Sequence, residues 1–201
     1  MRLSIAMVAV ALGASPGLAQ DVDRGVELYQ ARKYEDAEKV LRVAAEKEPK
    51  NPRVQYYLGL TLLERKKPQE AEEALKKARD VSPDDVNVLV ALARAYTVQR
   101  RFDQAEETLK QAAELDAGNA GLLLERGKLQ LARKRYQDAV QDLEQAIERE
   151  PGNAYAHYYA GLAYNGLRRR DKALHHFDVF LRLAPDAPEA PQVRSLLAAL
   201  R

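Results

Sequence analysis

The stretch "RVQYYLGLTLLERKKPQEAEEALKKARDVSP", residues 53–83, decides how the chain folds. Within it, "RVQYYLGLTLLERKK" and "QEAEEALKKARDVSP" each place apolar side chains three and four residues apart, the spacing of an amphipathic helix. Pro83 cannot continue the second helix and fixes the turn beyond it. The small residues Gly59 and Ala71 fall where two such helices must approach closely, and Ala78 where a further pair packs on. Leu62 and Leu75 fill the volume around them.

This unit recurs. Gly25, Gly59, Gly127 and Gly161 lie on one ruler of 34 residues, with Ala93 at the missing mark. A second ruler of that period joins Ala37, Ala71, Ala105, Ala139 and Ala173, and a third joins Leu41, Leu75, Leu109 and Leu143 to Phe177. A fourth carries Pro49, Pro83, Pro151 and Pro185, with Ala117 in the gap. Four rulers of one period, without insertion, identify a tandem repeat. After Pro185, Val193, Leu196, Leu197 and Leu200 form one apolar stripe on a last helix, so residues 188–201 read as a cap over the final apolar face. Phe177 and Phe180 are expected beneath it.

Composition agrees with an all-α chain. Ala, Leu, Glu, Lys, Arg and Gln dominate, and they are good helix formers. With 46% hydrophobic residues, the 201-residue chain can bury a core. Charged residues make up 31%, yet the formal net charge is only +2, which argues against a dedicated nucleic-acid binder. The chain has no cysteine, which removes disulfides, thiolate metal sites, a Cys nucleophile and a lipid-bearing Cys. Residues 1–19 differ from the rest: Arg2, an apolar run from Leu3 to Leu12, a Pro16–Gly17 break, then Gly17-Leu18-Ala19. That pattern reads as a secretory signal peptide cut after Ala19. The run is shorter than the roughly 20 residues a membrane span requires. The expected location is the bacterial periplasm, with secretion as the alternative.

Gly or Ala, then Tyr or Leu, then Ala, Leu, Ala and Pro at this spacing resemble the tetratricopeptide repeat (TPR) family. The resemblance covers five units, residues 18–51, 52–85, 86–119, 120–153 and 154–187. It implies a right-handed α-solenoid of five helix pairs with a C-terminal capping helix. The family's Trp-type position holds Asp21, Gln55, Leu89, Leu123 and His157 instead. Arg24 and Arg126 stand where the family usually has Leu, and Arg126, inside the array, needs a carboxylate partner or a route to solvent.

The family places ligands on the concave face formed by the first helix of each unit. Helical spacing and the family's concave positions put Arg53, Tyr56, Leu60 and Leu63 there in unit two, and Asn87, Val90, Arg94 and Thr97 in unit three. Unit four contributes Leu124, Lys128 and Leu131, and unit five Tyr155, Tyr158, Leu162 and Asn165. Arg94 and Lys128 hold equivalent places in consecutive units. The expected surface is a groove with a basic centre flanked by apolar and tyrosine patches, suited to a peptide bearing an acidic group or its own C-terminal carboxylate. The residue after the Gly mark is Val26, Leu60, Arg94, Lys128 or Leu162, never the Asn with which one TPR variant grips such a carboxylate.

The turn inside each unit is basic: Arg32-Lys33, Lys66-Lys67, Arg100-Arg101, Lys134-Arg135 and Arg168-Arg169. Stacked, these pairs would form a stripe along one edge. Cations there also suit the C-terminal end of the first helix, and acids such as Glu35, Asp36, Glu70, Asp103 and Asp138 follow at the start of the second. The sharper reading is an edge that meets anionic lipid headgroups or an acidic partner.

One stretch imitates an active site. "AYAHYYAGLAYN", residues 154–165, gathers four tyrosines and a histidine, and His175 and His176 follow. On the ruler it is the first helix of unit five, the counterpart of "QYYLGLTLL". Tyr164 shares a core position with Leu28, Leu62 and Tyr96, and His157 takes a position that is apolar elsewhere. Adjacent His175 and His176 point about 100° apart and cannot ligate one metal as an i, i+4 pair would. No catalytic residue, cofactor or metal is therefore expected. The expected function is a non-enzymatic scaffold of the cell envelope that binds a peptide on its concave face. The alternative is a structural subunit of a membrane-associated complex, docking through its basic edge.

Overall fold

The computed structural model describes residues 16–200; the signal-peptide reading of residues 1–19 falls largely outside them. Among the described residues every regular element is a helix. They run α1 (Pro16–Gln30), α2 (Tyr34–Lys47), α3 (Pro52–Glu64), α4 (Pro68–Val81), α5 (Val86–Val98), α6 (Phe102–Asp116), α7 (Ala120–Ala132), α8 (Tyr136–Arg149), α9 (Ala154–Gly166), α10 (Arg170–Leu183) and α11 (Ala190–Leu200).

Consecutive helices pack as antiparallel pairs, and each pair stacks on the next. First helices also touch first helices, α1 on α3, α3 on α5, α5 on α7 and α7 on α9, whereas the backbones of the second helices stay apart and α2 reaches α4 through the Arg42–Glu70 ion pair. The first helices thus form the inner, concave wall of an α-solenoid. The small residues explain the close pairing. A Cβ on Gly59 would stand 2.5 Å from Leu75 Cγ, and one on Gly161 2.6 Å from the Phe177 ring. Both partners are fully buried, so neither has room to withdraw.

Each boundary has a chemical cause. The side chains of Asn51, Asp85, Asn119 and Asn153 accept backbone N–H groups at the starts of α3, α5, α7 and α9. These caps lie on the same 34-residue ruler as the glycines. Within each unit the turn closes with paired bonds such as Lys66 N–H to Leu63 O and Lys67 N–H to Leu62 O. Its first basic residue takes a left-handed backbone: Arg32, Lys66, Arg100, Lys134 and Arg168 have φ of 58–61°. This is the glycine-type helix ending, made here with Lys or Arg.

The second helices end on Glu48, Ser82, Glu150 and Ala184, whose backbones leave the helical region just before the ruler prolines. Unit three lacks that proline. There α6 runs through Asp116, and Ala117 stays in the helical region.

Val193 and Leu197 of α11 are buried in one cluster with Phe177, Phe180, Tyr158 and Tyr164. The apolar stripe of the last helix thereby covers the end of the stack. Among the described residues no helix is long and apolar enough to cross a membrane.

Candidate functional site

The concave wall is rich in tyrosine at both ends. On the amino-terminal side, Tyr29 of α1 meets Tyr57 of α3 edge-on at 5.8 Å, and Tyr57 meets Tyr56 at 5.2 Å. On the other side, Tyr159 of α9 meets Tyr158 at 5.0 Å and Tyr155 at 6.5 Å. Burial pushes the phenols of Tyr29 and Tyr56 up to about 12. Burial and a hydrogen bond to Glu189 do the same for Tyr155. Burial, with the nearby Glu125 carboxylate, raises Tyr159 as well. All four therefore stay neutral near pH 7 and present O–H donors on apolar rings.

Between these patches lies a compensated centre, where the sequence suggested a basic one. Arg94 donates to Glu64 at 2.7 Å, and both side chains are 28% exposed. Burial disfavours the Arg94 charge, but Glu125 and Glu64 outweigh it, and the guanidinium is held protonated more firmly than usual. Lys128 donates to Glu125 at 2.5 Å and lies 5.3 Å from the centre of the Tyr159 ring. The carboxylates responsible come from the next turn of the same wall and from α3, positions the sequence reading did not single out. Tyr29, Tyr57 and Tyr159 were missed for the same reason.

Other expected groove residues divide. Leu63 and Tyr158 are corrected to the core: each is 8% exposed, and Tyr158 packs against Phe180. Arg53 is exposed and pairs with Asp23 at 2.8 Å, and Asn87 is exposed. Leu60, Val90, Leu124, Leu131, Leu162 and Asn165 are half-buried on the wall. Thr97, also half-buried, turns its hydroxyl onto Ala93 O at 3.0 Å. Tyr155 donates to Glu189 at 3.0 Å.

Part of the charge of the basic edge is likewise compensated. Lys67 donates to Glu38 of the preceding unit at 2.7 Å, Arg101 donates to Glu72, and Arg135 lies 3.6 Å from Glu106. Arg65, Gln99 and Arg133 reach the same three glutamates. Burial pushes the Glu38 and Glu72 carboxyls up, but hydrogen bonds from Lys67 and Arg42 to Glu38, and from Lys76 and Gln99 to Glu72, leave both below the usual range. The left-handed residues Arg32, Lys66, Arg100, Lys134 and Arg168 remain exposed.

Arg126 finds its partner in Asp142 of α8 at 2.6 Å. The histidines form a packed pair. His157 Nε2 faces Pro151 O at 3.2 Å and its Nδ1 faces His176 Nδ1 at 3.1 Å. A carbonyl only accepts, so His157 carries its proton on Nε2 and its Nδ1 accepts from His176 Nδ1, while His176 Nε2 lies 3.3 Å from a Glu144 carboxylate oxygen. His176 stacks on the buried Tyr164 ring, whose hydroxyl donates to Glu144 at 2.7 Å. Among the described residues no three His, Asp or Glu side chains are grouped to hold a metal ion.

The tetratricopeptide repeat family matches residues 22–86 and 124–188, and a second repeat model of the same description matches 62–126. The chain belongs to the tetratricopeptide repeat family. Repeats of this class form protein–protein interaction scaffolds that bind protein or peptide partners. No curated protein matches it in sequence. Among solved structures it is similar to TTC0263, a thermophilic TPR protein of Thermus thermophilus. Identity is 24% and the TM-score 0.79, over 91% of this chain and 98% of that one. It is also similar to a chain of the APC/C hetero-tetramer Cut9-Hcn1, at 16% identity and TM-score 0.82, over 91% of this chain but 36% of that chain. A third is YrrB, described as a TPR protein with an unusual peptide-binding site, at 20% identity and TM-score 0.56, over 87% and 90%.

Proposed function

We propose that this chain is a non-enzymatic adaptor of the bacterial cell envelope, exported by residues 1–19 and working in the periplasm by holding a segment of another protein against its concave wall. The observation that carries the reading is the row of tyrosines on that wall, Tyr29, Tyr56, Tyr57, Tyr155 and Tyr159, with half-buried leucines between them. Such rings offer large contact area and one hydrogen-bonding tip at low entropic cost. An acidic or C-terminal carboxylate on the partner would engage Arg94 or Lys128 by exchanging with Glu64 or Glu125. The peptide-binding site of YrrB supports the class of ligand by likeness of fold.

The test is crosslinking capture from envelope extract with the mature chain, compared with Tyr56→Ala/Tyr159→Ala and with Arg94→Glu/Lys128→Glu. Loss of the captured partner in both concave variants, with their helicity intact, is expected. Undiminished capture by both would sink the reading. Amino-terminal sequencing of the exported protein tests the other half: it should begin at Gln20.

A second reading keeps one observation of its own. The five left-handed Arg and Lys residues share one edge and are exposed. That edge could dock on anionic headgroups as part of a membrane-associated complex. Vesicle binding that disappears with added salt is its signature, and salt-insensitive behaviour counts against it.

A further inference from the structure

The two tyrosine patches of the concave wall differ in their charge. Near the amino-terminal patch the carboxylates are engaged: Glu64 accepts from Arg94, Asp23 from Arg53, and Asp85 from backbone N–H groups of α5. At the carboxyl-terminal patch two carboxylates keep spare capacity. The ruler position that holds Tyr57 and Tyr159 holds Glu125 in unit four. Glu125 is 8% exposed; its Oε1 accepts from Lys128, and its Oε2 has no hydrogen-bond partner. One ruler step beyond Tyr155 stands Glu189. Among the described residues it accepts the Tyr155 hydroxyl at 3.0 Å and forms no ion pair.

Glu189 thus stands at Tyr155 and Glu125 at Tyr159, and the two half-buried rings lie 6.5 Å apart. Burial raises the Tyr159 phenol first, and the charges of Glu125 and Glu189 add to it, so both fields reach that ring. Carboxylates beside an aromatic face attract a cation twice, by their charge and by the ring quadrupole. The chain displays this chemistry itself. The Lys128 ammonium lies 5.3 Å from the centre of the Tyr159 ring while it donates to Glu125. That one ammonium leaves the second Glu125 oxygen and Glu189 without a cation.

A ligand bearing only an acid meets a penalty here. Were its carboxylate to draw Lys128 away, Glu125 would remain as a buried, unpaired charge. Arg94 is the better seat for the acid, because its partner Glu64, 28% exposed, keeps contact with water when released. We propose that the carboxyl-terminal patch is a subsite for a lysine or arginine side chain, seated on Tyr155 and Tyr159 between Glu125 and Glu189. The subsite rests on the groove reading above and gives the bound segment a direction, its base toward α9 and its acid at Arg94.

Selection of a displayed random-peptide library on the full chain tests it. The native wall should enrich peptides in which Lys or Arg accompanies an acidic residue. Glu125→Gln/Glu189→Gln should remove the preference for a base and weaken a selected peptide about tenfold, with the preference for an acid kept. Arg94→Glu should do the reverse. Glu189→Gln alone, outside the buried core, should change binding in the same direction as the double variant, which separates loss of the subsite from loss of the fold. Enrichment of acidic peptides without a base, or a base preference unchanged in the double variant, overturns the subsite and leaves the adaptor reading standing. Binding of selected peptides that survives both Tyr56→Ala/Tyr159→Ala and Arg94→Glu/Lys128→Glu overturns the groove reading and the subsite with it.

Discussion

Units one to three and units four to five obey the same ruler but join their neighbours by different means. In the first group a glutamate, buried at Glu38 and Glu72 and exposed at Glu106, reaches forward to two cationic or amide side chains of the next unit. At the next mark the glutamate becomes Val140, and the side chain that meets it is Leu167, both within one apolar cluster. Around that cluster stand Phe177, Phe180, Tyr158, Tyr164 and the paired histidines. A repeat interface therefore needs matched shape and full satisfaction of buried groups, and either ion pairs or packed hydrocarbon can supply them. The two regions should consequently fail differently when disturbed.

The largest expected effect lies in the apolar half. Phe177 is fully buried where units one to four have Leu, and it closes against Gly161. Phe177→Ala should cost about 3–5 kcal/mol by lost transfer and cavity formation, measured by denaturant unfolding. A cost below that of Leu75→Ala would refute the picture of a heavier C-terminal core.

Next is the ladder. Glu72 accepts from Lys76, Gln99 and Arg101. Glu72→Ala should cost about 1–2 kcal/mol, since the buried amide and cations lose their acceptor. The double change Glu72→Val/Gln99→Leu copies the Val140–Leu167 junction and should recover most of that loss. If the double variant is no better than Glu72→Ala, the two kinds of junction are not interchangeable.

Much of this was legible in the chain. The period, the helix pairs and the cap follow from Gly59, Ala71, Leu75 and Pro83, because small residues at helix crossings and prolines at helix ends have few alternatives. The capping ruler Asn51, Asp85, Asn119 and Asn153 was equally available as a signal. What could not be read were contacts that depend on how the wall curves. Arg94 finds Glu64 thirty residues earlier, and Arg126 finds Asp142 sixteen residues later on the antiparallel partner helix. His157 and His176 meet only because α9 and α10 cross there. The basic centre is compensated by Glu64 and Glu125, and the basic edge by Glu38, Glu72 and Glu106 of the preceding unit, farther along the second helix than the acids its sequence placed beside the turn.

A smaller effect concerns the left-handed turns that both regions share. A non-glycine residue in this conformation costs roughly 1–2 kcal/mol, partly offset because glycine loosens the unfolded chain. Lys66→Gly, with φ of 59° at that residue, should raise stability by less than about 1 kcal/mol. A destabilised variant would show that the Lys66 side chain makes a contribution larger than its backbone strain. Arg168→Gly should behave alike, since the turn geometry is the same in both regions.

The smallest expected effect is a difference in acid response. Burial pushes the imidazoles of His157 and His176 below the usual histidine range, with Glu144 acting in the opposite sense. A further proton on His176 would sit on Nε2 beside Glu144, which offsets burial only in part, and one on His157 Nδ1 would set two donors face to face. The folded chain therefore binds these protons less tightly than the unfolded chain. The resulting stability is present above the unfolded value of 6.5 and is lost as pH falls through the depressed folded values. The glutamates of the ladder, held below their ordinary value of 4.5, keep their contribution until pH falls further. Acidification from pH 7 to 5 should thus loosen α9 and α10 before α3 to α6, read as faster amide exchange after correction for the intrinsic rate. His157→Leu/His176→Leu should abolish that step while leaving the later loss near the glutamate range in place. Simultaneous loosening of both regions would mean that the two halves share one cooperative unit and that the histidine pair is merely packing.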